Sequence, residues 1–325
     1  MLKTLASAAA LAAFITAPAL AETLKLAHWV PPAHVLTKST IDPLIKGLAD
    51  AGSSLEIQVY PGGELGAGPL EQYVRAVQGV ADIVWGLEGY TSQQFPRTMI
   101  AELPGALPDG MHGYDMFWNA YDKYLTGEFP GTVPLALWLS EPNVFIMKDH
   151  DVHTPADVVG LKLRVSGSAA AAVVTALGAT PVQMPAGEIY NALQTGLIDG
   201  VITGASAIGD FKLDEVANSY TMGAPLGRIA FYLVMNADKY NGLADADRAA
   251  LDSVTRKVLS AHAEEGWNAR ADQVWQGLKE TGDNTVIELT PEEVAAFGAI
   301  TLPVRDQVIA TVDGGADVLA AMQGK

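Results

Sequence analysis

The sequence predicts an α/β protein built from two doubly wound units, and three observations support that prediction. Residues 23–86 alternate short apolar strands with helical segments, which is typical of a parallel sheet. Residues 154–203 show the same alternation. Two apolar runs of strand length, 142–148 and 229–236, flank the second unit and are expected to connect the two domains.

Each element of the first unit has a local signal. Strands are expected in "TLKLAHW", "LEIQVYP" and "ADIVWG", and Pro31 and Pro32 end the first of them. A helix is expected from about Val35 to Asp50. "PLEQYVRAVQGV" has helical spacing with Pro69 near its start. Proline is tolerated there because the first N–H groups of a helix have no partner within it. The glycine-rich "GGELGAG" lacks the spacing of a dinucleotide-binding loop and the lysine of a P-loop, so it predicts a turn-rich loop.

The second unit has equally local signals. Thr154 is expected to cap a short turn that begins at Pro155. The strands "LKLRV", "TPVQM" and "IDGVIT" alternate with the helices "SAAAAVVTALG" and "AGEIYNALQTG", which end at Gly178 and Gly196. Arg164 stands near the end of the first strand, and open α/β sheets bind ligands at that edge.

Two features are expected to join the units. "IAFYLVMN" shows no alternation, as expected for a strand buried on both faces. A helical pattern runs from Asp245 to about Thr281, with only Gly266 and Gly277 interrupting it. Roughly 35 residues at about 1.5 Å each exceed about 50 Å, which is long enough to brace both domains.

The first 21 residues predict a secretory signal. One early cation, Lys3, precedes a short apolar run and an A-x-A pattern at Ala19–Ala21. The run is short for a spanning helix of about 20 residues, which disfavours a membrane anchor. The mature chain is therefore expected to begin at Glu22 and to lie outside the cytoplasm.

The net charge and the absence of cysteine limit the classes of partner and the source of stability. Cleavage would remove Lys3 and take the formal net charge from −17 to −18. Such an acidic chain is a poor partner for nucleic acid or anionic lipid, and an anionic ligand would need local cations. The sequence has no cysteine, so the core must provide the stability that disulfides give many secreted proteins.

Signals for catalysis are weak. "GASAIG" departs from G-x-S-x-G at the fifth position, and no H-E-x-x-H occurs. His150 and His153 form an H-x-x-H pair without an evident third ligand, so a solvated loop is favoured over a metal site. A secreted enzyme would need a nucleophile with a base, paired acids or a metal, and no such set is visible.

Arg164 has two interpretations. It could be an exposed or ion-paired arginine at a strand end. Alternatively, its guanidinium could bind a ligand carboxylate through two parallel hydrogen bonds. Backbone N–H groups at the start of the following helix could add to the attraction for an anion.

The residues around Arg164 resemble a known family. "GLKLRV" followed by "ALGATPVQMPAGEIYNALQTGLIDG" is similar to the solute-binding proteins of tripartite ATP-independent periplasmic (TRAP) transporters. This block covers residues 160–200 almost without a gap. "LKLAHW", "GVADIVWG" and "FYLVMN" also match in order, so the resemblance spans nearly the whole mature chain.

The resemblance implies a periplasmic binding protein fold, type II-like, with two α/β domains joined by crossing strands and a long bracing helix. Ligand would be trapped between the domains. The approximate boundaries are a signal at 1–21, domain I at 22–141 plus 232–270, and domain II at 142–231 plus 271–325.

The resemblance also implies a function. A periplasmic protein would capture an organic acid by domain closure and deliver it to the membrane subunits of a TRAP transporter. No catalysis, metal, cofactor, nucleic-acid partner or direct membrane insertion is expected. Two alternatives stay open: a binding protein for an ATP-driven importer or a sensor, and a secreted enzyme that uses the same cleft.

By the same resemblance, Arg164 clamps the ligand carboxylate. Thr203 stands where the family often has a ligand-binding asparagine, and a hydroxyl replaces an amide there. Ala186 and Gly187 stand where the family often has a bulky aromatic residue, which predicts an enlarged pocket for a bulky or aromatic acid. Three further matches to the family motif are expected to be structural: Glu188, Tyr190 and Asp199.

Domain I is expected to contribute residues from the ends of its strands. An aromatic-lined pocket is predicted there, although packing in the core explains each aromatic residue equally well. The candidates are His28, Trp29, Trp85, Glu88 and Tyr90. Trp138 is a further candidate, and Arg228 is either a second anion contact or part of a surface ion pair.

Overall fold

The computed structural model describes residues 22–282 and 284–325, and the predicted signal at 1–21 lies outside them. The strands of the described residues are β1 Thr23–Ala27, β2 Glu56–Tyr60, β3 Ile83–Leu87, β4 Thr132–Leu139, β5 Asn143–Met147, β6 Lys162–Val165, β7 Thr180–Gln183, β8 Gly200–Gly204, β9 Ser219–Met222, β10 Ala230–Asn236 and β11 Thr285–Glu288. The α-helices are α1 Asp42–Asp50, α2 Gln72–Val77, α3 Gly113–Ala120, α4 Ser168–Ala176, α5 Ile189–Thr195, α6 Ser206–Asp210, α7 Ala237–Gly242, α8 Asp245–Val254, α9 Lys257–Thr281, α10 Pro291–Ile309 and α11 Gly315–Met322.

These strands form two sheets. The first sheet has the order β2-β1-β3-β10-β4, and the second has the order β11-β9-β5-β8-β6-β7. β1, β2 and β3 are mutually parallel, as are β6, β7 and β8. The alternation of strand and helix in the sequence therefore predicted these parts of both sheets correctly.

The sequence pattern did not predict that both sheets are mixed: each includes a crossing strand of reversed direction. β10 runs antiparallel to both β3 and β4, and β5 runs antiparallel to both β8 and β9. Each of these strands enters its sheet from the other half of the molecule, so it runs against its neighbours. Only residues 140–142 separate β4 in the first sheet from β5 in the second.

β10 also confirms the prediction of a strand buried on both faces, since residues 230–235 are all buried. Its side chains divide between two apolar cores on opposite faces of the first sheet. Ala230, Tyr232 and Val234 belong to one core, and Phe231 and Leu233 belong to the other. The absence of alternation in the sequence thus has a direct structural cause.

The long helix α9 connects the cores of the two sheets. Leu259 and Trp267 pack with strands of the first sheet, while Ala271, Val274 and Leu278 pack with strands of the second. Gly266 lies where this helix passes another helix closely, because a Cβ there would lie 2.2 Å from the Cβ of Ser39. The predicted bracing helix therefore exists, but it is shorter than predicted.

The helical pattern from Asp245 to Thr281 is broken after Val254. Arg256 has a φ of 53°, in the left-handed region, and its N–H donates to Leu135 of β4. Only Thr255 and Arg256 leave the helical conformation, and so short an interruption barely disturbs an apolar periodicity. The sequence pattern consequently merged α8 and α9 into one helix.

Several local predictions are confirmed. Thr154 and Asp157 form a capping box at the turn that begins at Pro155. The helix from Val35 to Asp50 is present, with a π-helical turn at Thr37–Ile41. α10 and α11 were not predicted, although Thr290 also caps α10 with a capping box. No helix in the two described stretches is both long and apolar enough to cross a membrane.

The domain boundaries stay a prediction. Two placements bear on where a boundary is drawn: Ala230 and Phe231 already belong to the first sheet, and α11 contributes Val318 and Met322 to the core that contains Phe117 of α3. The C-terminal helix therefore packs on the side of the first sheet.

Candidate ligand-binding site

A cavity lies between the two sheets at the ends of their strands. Its interior volume is about 40 Å³, and the value is about 430 Å³ when all the space between the lining atoms and the open mouth is counted. Strands β3, β6, β8 and β10, the crossing segment after β4, and helix α9 all contribute to its wall. The lining residues are Trp29, His34, Trp85, Leu87, Ser140, Arg164, Ala186, Thr203, Gly204, Ser206, Ala207, Phe211, Ile229, Phe231 and Trp267.

Arg164 is the charged group of this cavity. Its side chain is 1 % exposed, and it forms no salt bridge with a described residue. The Nε and Nη2 atoms donate to the Met184 carbonyl oxygen at 3.0 and 2.8 Å, and Nη2 also approaches the Tyr90 hydroxyl at 3.3 Å. Nη1 makes no hydrogen bond to any residue in the described ranges.

The environment of Arg164 is unfavourable for a lone cation. Burial lowers the pKa of its guanidinium, although an arginine stays charged at neutral pH. A buried charge is normally paired, because desolvation is costly. The exposed and ion-paired interpretations of Arg164 therefore do not hold, and an anion in the cavity would supply the missing partner.

Tyr90 lies behind the cavity wall and joins the two sheets. It belongs to the turn after β3, and its hydroxyl accepts hydrogen bonds from Arg164 Nη2 and from the Ala186 N–H at 2.8 Å. Both donors belong to the second sheet and its loops. Tyr90 thus fixes the guanidinium. We call Arg164, Tyr90, Met184, Ala186 and Thr203 the arginine cluster.

Stacked rings form the apolar part of the cavity. Phe211, Trp29, Trp85 and Phe231 follow one another with ring-centroid distances of 6.1, 5.4 and 5.6 Å and interplanar angles of 16°, 20° and 25°. Trp267 packs against Trp85 and Phe231. We call these five residues the aromatic cluster. The indole N–H groups of Trp29 and Trp85 have no hydrogen-bond partner among the described residues.

The structure brings five of the predicted site residues together in the cavity wall: Trp29, Trp85, Arg164, Thr203 and Ala186. His28 and Glu88 are buried and lie outside that wall. Burial lowers the pKa of His28 to about 4, so its ring is neutral at pH 7, and burial raises the pKa of Glu88 well above its usual range. Neither carboxyl oxygen of Glu88 has a hydrogen-bond partner within the described stretches.

The other candidates lie farther from the cavity. Trp138 packs behind it against Phe231 and Trp267. Arg228 donates to the Ser140 carbonyl oxygen at 2.7 Å, so it supports the crossing segment. Among the motif residues, Asp199 accepts a hydrogen bond from the Lys162 N–H, and Tyr190 donates to Glu215 near the surface.

Sequence reasoning missed several lining residues. Phe231 and Trp267 lie in segments whose patterns predicted burial, and nothing in those patterns distinguishes a cavity wall from a core. His34 and Phe211 follow a strand and a short helix in irregular segments, which carry no periodic signal. The contact of His34 with Phe211, at a centroid distance of 5.5 Å, depends on the tertiary fold.

Two sheets joined by crossing strands, with a buried cation in an aromatic cavity between them, define a two-domain receptor for a small anion. The model of the family described as "Bacterial extracellular solute-binding protein, family 7" matches residues 26–311, and the chain belongs to that family.

A curated relative and two solved structures match nearly the whole chain. The C4-dicarboxylate-binding periplasmic protein DctP of Rhodobacter capsulatus is 27 % identical, over 99 % of this chain and 97 % of the relative. A TRAP solute-binding protein from Rhodoferax ferrireducens, solved with copurified benzoate, is 26 % identical with a TM-score of 0.88, covering 93 % of this chain and 96 % of the other. One from Bordetella bronchiseptica with bound mandelate is 25 % identical with a TM-score of 0.83, covering 93 % and 98 %.

These findings confirm the prediction of a periplasmic TRAP solute-binding protein with a two-domain α/β fold. Its family consists of solute-binding proteins, so the chain is not an enzyme.

Proposed function

We propose that this protein captures an organic acid with an aromatic or similarly bulky apolar body and delivers it to the membrane subunits of a TRAP transporter. One observation carries the proposal: the buried guanidinium of Arg164 forms no salt bridge with any residue that the structure describes, and it shares a cavity with the aromatic cluster. A carboxylate supplies the missing charge, and an aromatic body fits against the rings.

The arginine cluster is prepared for a carboxylate. The Met184 carbonyl and the Tyr90 hydroxyl hold one edge of the guanidinium, which leaves Nη1 available. Hydrogen bonds between arginine and carboxylate are charge-assisted, and their planar geometry favours a fixed orientation. Thr203 adds a hydroxyl to the wall beside this group.

The remainder of the cavity favours an apolar body. Among the described residues of the wall, Arg164 is the only cationic one, since burial lowers the pKa of His34 to about 3 and keeps it neutral. The second carboxylate of a compact dicarboxylate would thus meet aromatic rings without a second cation. Apolar contact contributes about 25 cal/mol per Å² of buried surface, and an aromatic acid offers more of it. The benzoate and mandelate in the two relatives support this class.

Capture requires the two domains to close on the ligand. The cavity wall comes from both sheets, so a bound acid stabilises the arrangement in which both contact it. The alternatives of an ATP-driven importer or a sensor use the same closing motion. The family's association with TRAP transporters favours delivery to TRAP membrane subunits.

Calorimetric titration and thermal-shift measurements with benzoate, mandelate, succinate and malate test the proposal. Benzoate or mandelate should bind and raise the unfolding temperature, because a ligand that binds only the folded state stabilises it by mass action. Tighter binding of succinate or malate than of every aromatic or branched acid tested would overturn the proposed ligand class.

A further inference from the structure

One carboxylate outside the cavity wall joins the two sheets near the aromatic cluster. Asp210 ends α6, which packs with the second sheet, and its side chain is 3 % exposed. Its Oδ2 accepts a hydrogen bond from the Val35 backbone N–H at 3.1 Å. Val35 begins the helix after β1 and packs in a core of the first sheet. The contact crosses the cleft.

The second oxygen of Asp210 contacts the bracing helix. Arg270 Nε donates to Oδ1 at 2.9 Å. Arg270 lies between Trp267, which packs with the first sheet, and Ala271, which packs with the second. One carboxylate therefore joins both domains to α9 at the point where that helix passes from one core to the other.

The neighbours of this contact line the cavity. His34 precedes Val35, and Phe211 follows Asp210. His34 Nδ1 accepts from the Leu36 N–H at 3.1 Å, which assigns the ring proton to Nε2. Nε2 lies 3.6 Å from Asp210 Oδ2, too far for a strong hydrogen bond, so the Val35 N–H and Arg270 are the principal partners of Asp210.

We propose that Asp210 is a positioning residue for ligand capture: it locks the closed arrangement by joining Val35 to Arg270, and it thereby holds His34 and Phe211 against the ligand. This inference rests on the proposed function, because it assumes closure around a bound acid. Asp210 itself lies outside the cavity wall. Because the Val35 contact joins the two domains in this arrangement, its loss should accelerate ligand release and leave association nearly unchanged.

Stopped-flow tryptophan fluorescence with benzoate as the probe tests this lock. Asp210→Ala should release benzoate about tenfold faster or more, with association within about twofold of wild type, because a buried hydrogen bond to a charged group is lost. Asp210→Asn keeps an acceptor for Val35 but loses the charge, so its release rate should be intermediate. Asp272→Asn removes an exposed acid from α9 and should match wild type. Thermal unfolding checks that Asp210→Ala folds, and Asp210→Asn carries the comparison if it does not.

A second measurement needs no ligand. Because the sequence has no cysteine, Lys46→Cys and Gln194→Cys, at exposed positions on α1 and α5, allow specific labelling of the two sides. Single-molecule fluorescence resonance energy transfer between the two labels then reports the closed population, which is the fraction of molecules with closed domains. This fraction should fall about fivefold or more in Asp210→Ala. If wild type binds no benzoate, the proposed ligand class fails, and the closed population alone decides the lock. If Asp210→Ala has the same release rate and the same closed population as wild type, the proposal that Asp210 locks the closed arrangement is overturned.

Discussion

The arginine cluster and the aromatic cluster recognise ligand by different physical means. In the arginine cluster, hydrogen bonds to a carbonyl and a hydroxyl fix the guanidinium before any ligand arrives. In the aromatic cluster, rings contact one another, and two indole N–H groups have no partner in the described parts of the chain. Recognition of charge depends on distance and angle, whereas apolar contact depends mainly on area. The arginine cluster should therefore require a carboxylate on the ligand, whereas the aromatic cluster should accept apolar groups of several shapes.

Removing the charge should have the largest effect. Arg164→Ala should weaken benzoate binding by about 2–5 kcal/mol, on the order of 30- to 5000-fold, because a buried charge pair loses one partner. Arg164→Lys should keep only part of the wild-type affinity, since an ammonium group lacks the planar fork of donors. Titration calorimetry measures both, and circular dichroism confirms the fold. Unchanged affinity in Arg164→Ala would contradict the arginine cluster as the anion site.

Hindering domain closure beside the arginine cluster should weaken benzoate binding nearly as much. Gly167 follows β6, and a Cβ there would lie 2.6 Å from the Cα of Gly89 and 2.7 Å from its carbonyl oxygen. The φ of Gly167 is −165°, which any residue adopts. Gly167→Ala should thus fold normally yet hinder closure, and benzoate affinity should fall by about tenfold or more.

Small-angle scattering checks the cause of that loss. Gly167→Ala with saturating benzoate should keep a larger radius of gyration than wild type. Gly187→Ala is the matched control, because an added Cβ there has no neighbour within 4 Å. Full compaction of Gly167→Ala with wild-type affinity would show that the two backbones do not limit closure.

Deleting a ring from the aromatic cluster should weaken benzoate binding less than removing the charge of Arg164 does. Trp29 stacks between Trp85 and Phe211, so Trp29→Ala should raise the Kd for benzoate about tenfold. Trp29→Phe keeps a ring face and should recover most of the affinity. Comparable losses for Arg164→Ala and Trp29→Ala would remove the distinction between the two clusters.

The crossing segment between the sheets should have the smallest effect on binding, because its titration acts on stability. Burial raises the pKa of Glu141 to about 7 from an ordinary value of 4.5, although its Oε1 accepts a 2.7 Å hydrogen bond from the Ser206 N–H. Between pH 4.5 and 7 the folded protein holds a proton that the unfolded chain has lost. The free energy of unfolding should consequently decrease as pH rises through this window, by up to about 3 kcal/mol.

Urea titrations at pH 5 and pH 8 measure this dependence. Glu141→Gln cannot ionise, so its free energy of unfolding should decrease less than that of wild type over the same interval. Glu265→Gln, an exposed position on α9, is the control and should behave as wild type. Identical pH dependence in Glu141→Gln and wild type would show that Glu141 titrates in its ordinary range.

The sequence by itself determined the features that depend on neighbouring residues. Apolar runs predicted the strands, and Thr154 before Pro155 predicted a cap that the structure contains. Arg164 was placed at a strand end, where its neighbours in the cluster, Ala186 and Thr203, lie on the same contiguous stretch of chain. Most of the arginine cluster could be found for that reason.

Only the tertiary structure decided the aromatic cluster, the reversed direction of β5 and β10, and the break at Arg256. Trp29, Phe211 and Trp267 come from three distant segments, and no local pattern relates them. The direction of a crossing strand depends on which sheet it enters, and an isolated apolar run carries no such information. Short-range periodicity records how a segment is buried, whereas the partners that bury it are chosen by long-range packing, in which residues far apart in sequence compete for the same contacts.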